Sequence, residues 1–374
     1  MSKTYDTIII GAGIAGASTA HALTQKGQNV LVVDKNGIAS GGSGAAGAFV
    51  SPKIGKGAPL QKLTNEAFEY AKAFYLSTCP TLFHQTGVIR IPKDEADDQK
   101  FSAYEPYNDN RYENYTKEHL KQLGIKAGLD SFYFPEAGVC EAQEVCRYLL
   151  SNIDVVAYEV KEIIRENEFW SVGEYRAKNL VLATGFESDL IDLRYMGIKG
   201  TWGTRGDFSS NIALDVSMHQ SMSVSANVDG IIKLGATHEK EIKEVVPCKK
   251  EQALLLKEKA SSMFDTSDFQ LQEVFCGMRS GSKDYFPLVG RVVDVPFMFE
   301  TYPAITRGAK PELKYLDNLF VCNGLGGRGF VFAPLMAKKL AESIVDNKEV
   351  DSRVNPDRLF LKWCRKSPEL EDLR

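Results

Sequence analysis

The chain has 374 residues, 44% hydrophobic, 10% aromatic and 25% charged; a chain of that size buries a large core without disulfides, so disorder and a small disulfide scaffold are excluded. Forty-five basic and 49 acidic side chains leave a net charge of −4, which argues against a dedicated nucleic-acid-binding module but leaves room for an enzyme that touches RNA through one local patch. Seven cysteines (Cys79, Cys140, Cys146, Cys248, Cys276, Cys322, Cys364) form no CxxC and no metal spacing; scattered thiols suit a reducing cytosol, most of them as small core residues.

In chain order, Thr7–Ile10 is a β-branched run, followed by Gly11-Ala12-Gly13-Ile14-Ala15-Gly16 and a helical pattern through Lys26-Gly27. Val30–Val33 is a second apolar run and ends at Asp34. The apolar stretch Ile8–Leu23 has Asp6 before it and no basic n-region, so it reads as strand–turn–helix rather than a signal peptide. No stretch is long enough to span a membrane. Asn36–Gly47 is packed with Gly, Ala and Ser, the composition of a loop with close backbone approach. Leu63–Ser77 has helical spacing, Gly87–Pro92 reads as a strand, and Lys93–Asn114 as a polar, acidic excursion. Ala142–Leu150 is helical; Val155–Val160, Glu168–Val172 and Asn179–Leu182 read as strands, the last running into Ala183-Thr184-Gly185. From Leu193 to Arg291, β-like runs (Ile212–Val216, Met222–Ser225, Ile231–Gly235, Phe275–Met278) surround one Lys/Glu-rich helix, Lys249–Phe264. Leu319–Cys322 is a buried strand that enters Gly324-Leu325-Gly326-Gly327-Arg328-Gly329, and a helix follows over Pro334–Val345.

The first glycine motif has the context that a dinucleotide fingerprint needs: a strand before it, a helix after it, and Asp34 at the end of the next strand. Gly11 permits the tight turn, Gly13 lets a pyrophosphate approach, and Gly16 lets helix and strand pack closely. The helix start offers free N–H groups to phosphate, and Asp34 accepts from ribose hydroxyls. One NAD site would leave the turns at 183–185 and 324–329 unexplained. A single FAD, running the length of the domain, uses all three; the third loop would aim a helix N-terminus at the flavin's pyrimidine edge. Further contacts expected for the cofactor are Ile14, Ala15, Lys35, Ser43, Gly44, Gly47, Ala48, Val160, Ala183, Thr184, Gly185, Gly324, Gly326, Gly327, Arg328, Gly329 and Phe330.

These motifs carry a resemblance. Nearly the whole chain resembles the D-amino-acid/glycine/sarcosine oxidase family of FAD enzymes, through GAGIAG at 11–16, LVLATG at 180–185 and CGMRSGSKDYFPLVGRV at 276–292. Within it, the chain is similar to the branch formed by the oxidoreductase domain of bifunctional tRNA 5-methylaminomethyl-2-thiouridine biosynthesis proteins. GAFVSPKIGK with NEAFEYAKAFY, GLGGRGFVFAPL at 324–335 and NPDRLFLKW at 355–363 carry that likeness. The branch has an N-terminal methyltransferase domain; here the fingerprint begins by residue 11, so a stand-alone oxidoreductase half is expected, with a separate methyltransferase acting on its product.

The resemblance implies oxidation of a C–N bond next to a carboxylate. In the tRNA branch this removes the carboxymethyl part of a carboxymethylaminomethyl group on wobble (2-thio)uridine, leaving the aminomethyl nucleoside and glyoxylate. Arg279 matches the family's carboxylate-binding arginine, since a guanidinium fork fixes both distance and plane; the alternative is an ordinary ion pair. Lys233 resembles a lysine that faces the flavin's oxygen side in sarcosine oxidase, or else is a strand lysine facing solvent. Tyr285 and Lys53 are expected beside the substrate. Arg328 faces flavin, substrate or an RNA phosphate. No general base is evident: His84, His219 and His238 are isolated, and none is needed if the amine binds neutral. No cysteine matches a covalent flavin attachment, so FAD is expected to be non-covalent.

Two basic stretches bear on RNA. Lys53, Lys56 and Lys62 lie in one, and Arg358, Lys362, Arg365 and Lys366 in the other, with Phe360 and Trp363 between them. They read either as backbone grip with base stacking or as a terminal helix with a solvated basic face. The fold class is α/β (α+β mixed): a Rossmann-like FAD-binding domain (1–92, 135–195, 310–350) interleaved with a substrate domain on a mixed, largely antiparallel sheet (93–134, 196–309), then a basic tail (351–374). The expected protein is cytoplasmic, without metal or membrane, with tRNA as its substrate partner. The alternatives are a small-molecule oxidase or dehydrogenase for glycine, sarcosine or a D-amino acid, and a flavin-binding module without turnover, against which Arg279 argues.

Overall fold

The computed structural model describes residues 3–187, 189–367 and 370. The β-branched run at the start forms the strand Lys3–Ile10, which pairs in parallel with Val30–Asp34 on one side and Tyr175–Leu182 on the other. Asp154–Ala157 and Tyr315–Asn323 extend the parallel set outward, and Leu288–Val293 with Ile164–Glu166 and Phe169–Val172 add antiparallel edges to an eight-stranded sheet. Alternation along these strands splits the core in two. Ile9, Val32 and Val181 face helices Ile14–Thr24, Pro59–Thr78, Ala142–Leu149 and Gly329–Asp346. Ile8, Ile10, Leu31, Val33, Leu180 and Leu182 face the other way, toward Tyr195, Met298 and Phe360. Burial on both faces is why these runs carry little polar alternation.

A second eight-stranded sheet runs in the order Gln270–Gly281, Lys199–Ser209, Ile231–Gly235, Ser223–Val224, Ser217–His219, Val88–Arg90, Ser131–Phe134, Glu113–Tyr115. It is antiparallel except where Ser217–His219 meets Val88–Arg90, so the mixed, largely antiparallel sheet expected from the sequence is present. Helix Lys250–Ala260 packs on it through Ala253, Leu256 and Ala260. A three-stranded sheet of Phe49–Val50, Gly138–Cys140 and Phe83–His84 joins the layers.

The structure differs from the sequence reading in particular places. The strand expected at 212–216 is irregular; Leu214 and Val216 are buried, but the ladder begins at Ser217. The polar excursion at 93–114 holds a helix, Glu95–Tyr104, whose Asp94 cap accepts from Asp97 N–H and whose one buried residue is Phe101. Val88–Arg90 belongs to the second sheet and Leu288–Val293 to the first, each across an expected division at 92 or 309. Five cysteines are buried and free, whereas Cys248 and Cys276 form a disulfide with Cα atoms 5.6 Å apart.

Candidate active site

All three glycine turns open on one cavity of 1410 Å³, larger than the ~300–1,000 Å³ of ordinary small-molecule pockets. Gly11 has φ +111°, and a Cβ there would stand 2.3 Å from the Ala183 carbonyl oxygen. At Gly16 a Cβ would stand 1.8 Å from the Gly11 oxygen, so helix and strand touch through backbone. Gly13 offers no side chain to cap the helix that follows, whose first turn holds no acid; apart from Ile14 N–H, its first amides and positive end are left for an anion. The helix beginning at Gly329 likewise has no side-chain cap and no early acid. Asp34 accepts from Ala12 N–H at 2.8 Å and Asn36 N–H at 2.9 Å, fixing the turn beside the cavity. Ser43 Oγ accepts from Ile14 N–H at 2.9 Å.

Of the expected cofactor contacts, Gly11, Gly13, Ile14, Ala15, Asp34, Lys35, Ser43, Gly47, Ala48, Val160, Ala183, Thr184, Gly185, Gly324, Gly326, Gly327, Arg328, Gly329 and Phe330 line this cavity. Gly16 and Gly44 stand behind its wall, where a Cβ on Gly44 would meet the Ala39 oxygen at 2.1 Å. Lys35 also pairs with Glu187 at 2.8 Å. Two helix starts without an acid in the first turn, an acid at the second strand end and glycines pressed against backbone fit a long nucleotide with a central diphosphate. The middle and last turns are tied together by residues the sequence reading passed over. Ser280 Oγ donates to the Gly185 carbonyl at 2.9 Å and Asn323 Nδ2 donates to the same oxygen at 2.7 Å.

Arg279, on the strand next to Thr201, reaches the cavity. Its Nη1 and Nη2 both donate to the Thr237 carbonyl at 3.1 Å. Burial lowers its pKa. The expected neighbour Tyr285 lies at the mouth, 77% exposed. Lys53 lines the cavity together with Arg328, Arg90 and His219. Burial, then Arg328 and Arg90, hold the Lys53 ammonium below its usual range. Arg328 Nη1 donates to the Ser51 carbonyl at 3.0 Å, and burial pushes its pKa down to about 10. His219 Nδ1 and Ser223 Oγ are 2.8 Å apart.

Lys233 is not on the cavity surface. Its Nζ donates to Glu141 Oε2 at 2.7 Å, and His84 Nε2 stands 3.2 Å from Oε1. Burial pushes the Glu141 carboxyl up, but the Lys233 ammonium, with His84 and Arg205, outweighs it and carries the pKa below the usual range. Nearby, the buried Arg205 binds Asp207 at 2.8 and 3.1 Å and donates to the Ala46 carbonyl, pinning the Gly/Ala/Ser loop from below. Sequence spacing shows no sign of this arginine's role, because the loop carbonyl it holds lies 159 residues away.

The terminal segment turns its aromatics inward: Phe360 and Cys364 are fully buried, and Trp363 packs on Phe299 and Phe360. Arg358 holds Asp284 with two bonds of 2.9 Å, which stiffens the turn after Arg279. This is the helix with a solvated basic face, not a stacking platform. Among the described residues no helix is long and apolar enough to cross a membrane, and no group of three or more His, Cys, Asp or Glu is placed to hold a metal.

Comparison with known proteins agrees with this geometry. The family model described as FAD dependent oxidoreductase (DAO) matches residues 6–343. The tRNA 5-methylaminomethyl-2-thiouridine biosynthesis bifunctional protein MnmC of Campylobacter concisus is 26% identical over 96% of this chain and 60% of its own length. That of Stutzerimonas stutzeri is 26% identical over 95% of this chain and 59% of its own. The chain thus spans about 60% of the length of these curated relatives. The crystal structure of glycine oxidase from Bacillus cereus superposes with a TM-score of 0.76 at 21% identity, covering 92% of this chain and 96% of that one.

Proposed function

The chain belongs to the family of FAD-dependent oxidoreductases, and on that premise we propose that it oxidises the C–N bond of a carboxymethylaminomethyl group on tRNA wobble uridine, giving the aminomethyl nucleoside and glyoxylate. The observation that carries the reading is Arg279, a half-buried fork that lines the cofactor cavity, bonded to a backbone carbonyl and, among the described residues, in no ion pair with a carboxylate. Similarity to the two curated tRNA-modifying relatives over nearly the whole chain supports the nucleoside part.

Arg279 keeps donors beyond the two spent on Thr237, and these would grip the substrate carboxylate and fix the adjacent N–CH2 carbon. The Arg279 guanidinium disfavours a further positive charge beside it, so a secondary amine would bind neutral, with its lone pair free. FAD, held without a covalent bond along the three glycine turns, supplies a two-electron acceptor for hydride from that carbon. Water entering at the Tyr285 mouth then adds across the resulting C=N bond, and the C–N bond breaks to glyoxylate and the primary amine. The Lys233–Glu141 pair would sit behind the reacting face as a fixed charge pair, not a proton donor. The reading carries with it a cytoplasmic protein, tRNA as partner and a separate methyltransferase as consumer of the product.

The test is anaerobic bleaching of the bound flavin. Transfer RNA bearing the carboxymethylaminomethyl base should bleach it, while glycine, sarcosine and D-alanine should not. Bleaching by a free amino acid with tRNA inert would overturn the reading in favour of a small-molecule amine oxidase.

A further inference from the structure

The cavity carries a second group of cations that the chemistry at Arg279 does not use. Arg90, Arg328 and Lys53 share one wall, and none of the three stands in an ion pair among the described residues. Arg90 Nε is sealed from solvent with no hydrogen-bond partner. The carboxylate nearest in effect, Asp97, is engaged elsewhere: it accepts from Lys93 N–H at 3.2 Å and pairs with Lys100 at 3.7 Å. His219, paired across the strands with Arg90, adds no charge, since burial and then the two arginines push its pKa down to about 2. Burial and Arg328 also lower Arg90, to about 9. Desolvated cations packed together without an anion are unfavourable; such a cluster is stabilised when an oxyanion arrives.

The cluster starts beside Arg279 and leads away from it: a Cβ on Gly327, next to Arg328, would stand 4.0 Å from Arg279 Cδ, while the Arg328 guanidinium turns to the Ser51 carbonyl at 3.0 Å. Arg90 lies farther off, on a strand five places from that of Arg279 in the second sheet. We infer that Arg90, with Arg328 and Lys53, holds a second oxyanion of the substrate, distinct from the carboxylate on Arg279. The inference rests on the preceding reading for the Arg279 pole. For a nucleotide substrate the second oxyanion is a backbone phosphate; a small amine with two carboxylates offers the same chemistry over a shorter span.

The experiment titrates the flavin-loaded enzyme, by its flavin absorbance, with inert analogues in which a thioether replaces the amine. These are alkylthioacetates of increasing chain length ending in methyl, carboxylate or phosphonate. At one of the longer chains the phosphonate should bind at least tenfold tighter than the methyl end. Arg90→Met should remove that gain while the methyl-ended probe binds within about twofold of its former affinity. Arg90→Lys should keep most of the gain, and flavin content with melting temperature reports that both variants fold. No gain at any length, or a gain that survives Arg90→Met, overturns the inference. A gain confined to short carboxylate-ended chains overturns the nucleotide source. An Arg90-dependent phosphonate gain in an enzyme that tRNA does not bleach sinks the tRNA reading alone.

Discussion

Replacing Arg279 with methionine separates a substrate grip from a structural cation. The guanidinium offers five N–H donors; two go to the Thr237 carbonyl, and three remain. A carboxylate taking two of them in charge-assisted bonds of about 1.5–3 kcal/mol each gains about 3–6 kcal/mol. Loss of that gain lowers kcat/KM by roughly 10²- to 10⁴-fold, since about 1.4 kcal/mol is a factor of ten. Stability should move the other way or not at all. No carboxylate is left unpaired by the change, and a desolvated charge leaves the wall. Anaerobic flavin reduction gives the rate, and thermal unfolding gives the stability. Arg279→Lys should fall between, because a point charge cannot match a carboxylate in two places. A variant that loses several degrees of melting temperature yet keeps kcat/KM within tenfold would refute the assignment and make Arg279 a structural residue.

Other outcomes follow from the geometry. Gly16→Ala puts a Cβ 1.8 Å from the Gly11 oxygen; the backbone shift should cost about 1–3 kcal/mol and weaken FAD retention, read by melting temperature and flavin content after gel filtration. Glu141→Gln leaves the Lys233 ammonium buried without its carboxylate, a loss of about 3 kcal/mol at neutral pH. Because the folded Glu141 pKa lies below its unfolded value, its stabilisation is present above the unfolded value of ~4.3 and vanishes as pH falls through the folded one. Melting curves of the two proteins should therefore converge on acidification. Trp363→Ala should destabilise by about 2–3 kcal/mol through lost packing on Phe299 and Phe360, with tRNA affinity changed under threefold in a filter-binding assay.

Legibility in the sequence followed how local each signal was. The turn at 11–16 and the acid at 34 are local, because strand, glycine turn and helix are contiguous and each glycine has a steric reason. The turns at 183–185 and 324–329 were recognisable for the same cause. Arg90 was not, since alternation in Val88–Arg90 tells which residues share a face but not which sheet the strand joins. Arg205 and Glu141 act through partners some 160 and 90 residues away. Helix Glu95–Tyr104 was hidden because a helix with one buried residue shows no apolar stripe. Cys248 and Cys276 sit 28 positions apart, and nothing in that spacing brings them together. The aromatics of the terminal helix show the reverse: the alternation with basic residues suggests RNA, but burial of Phe360 settles which face they take.

The carboxylate of Asp34 bears on how the cofactor is kept. Two backbone amides, from Ala12 and Asn36, are already bonded to it, and Arg205 grips the loop at Ala46 from beneath. These bonds are made among the chain's own groups and draw on no nucleotide contact. The entropy of ordering these loops is lost when the chain folds rather than when the ligand docks. Association then waits on diffusion to the mouth rather than on loop rearrangement, and escape requires loosening contacts that belong to the fold itself. A cofactor held in that way stays with the protein on dilution, and its departure reports global unfolding more than a local breathing motion.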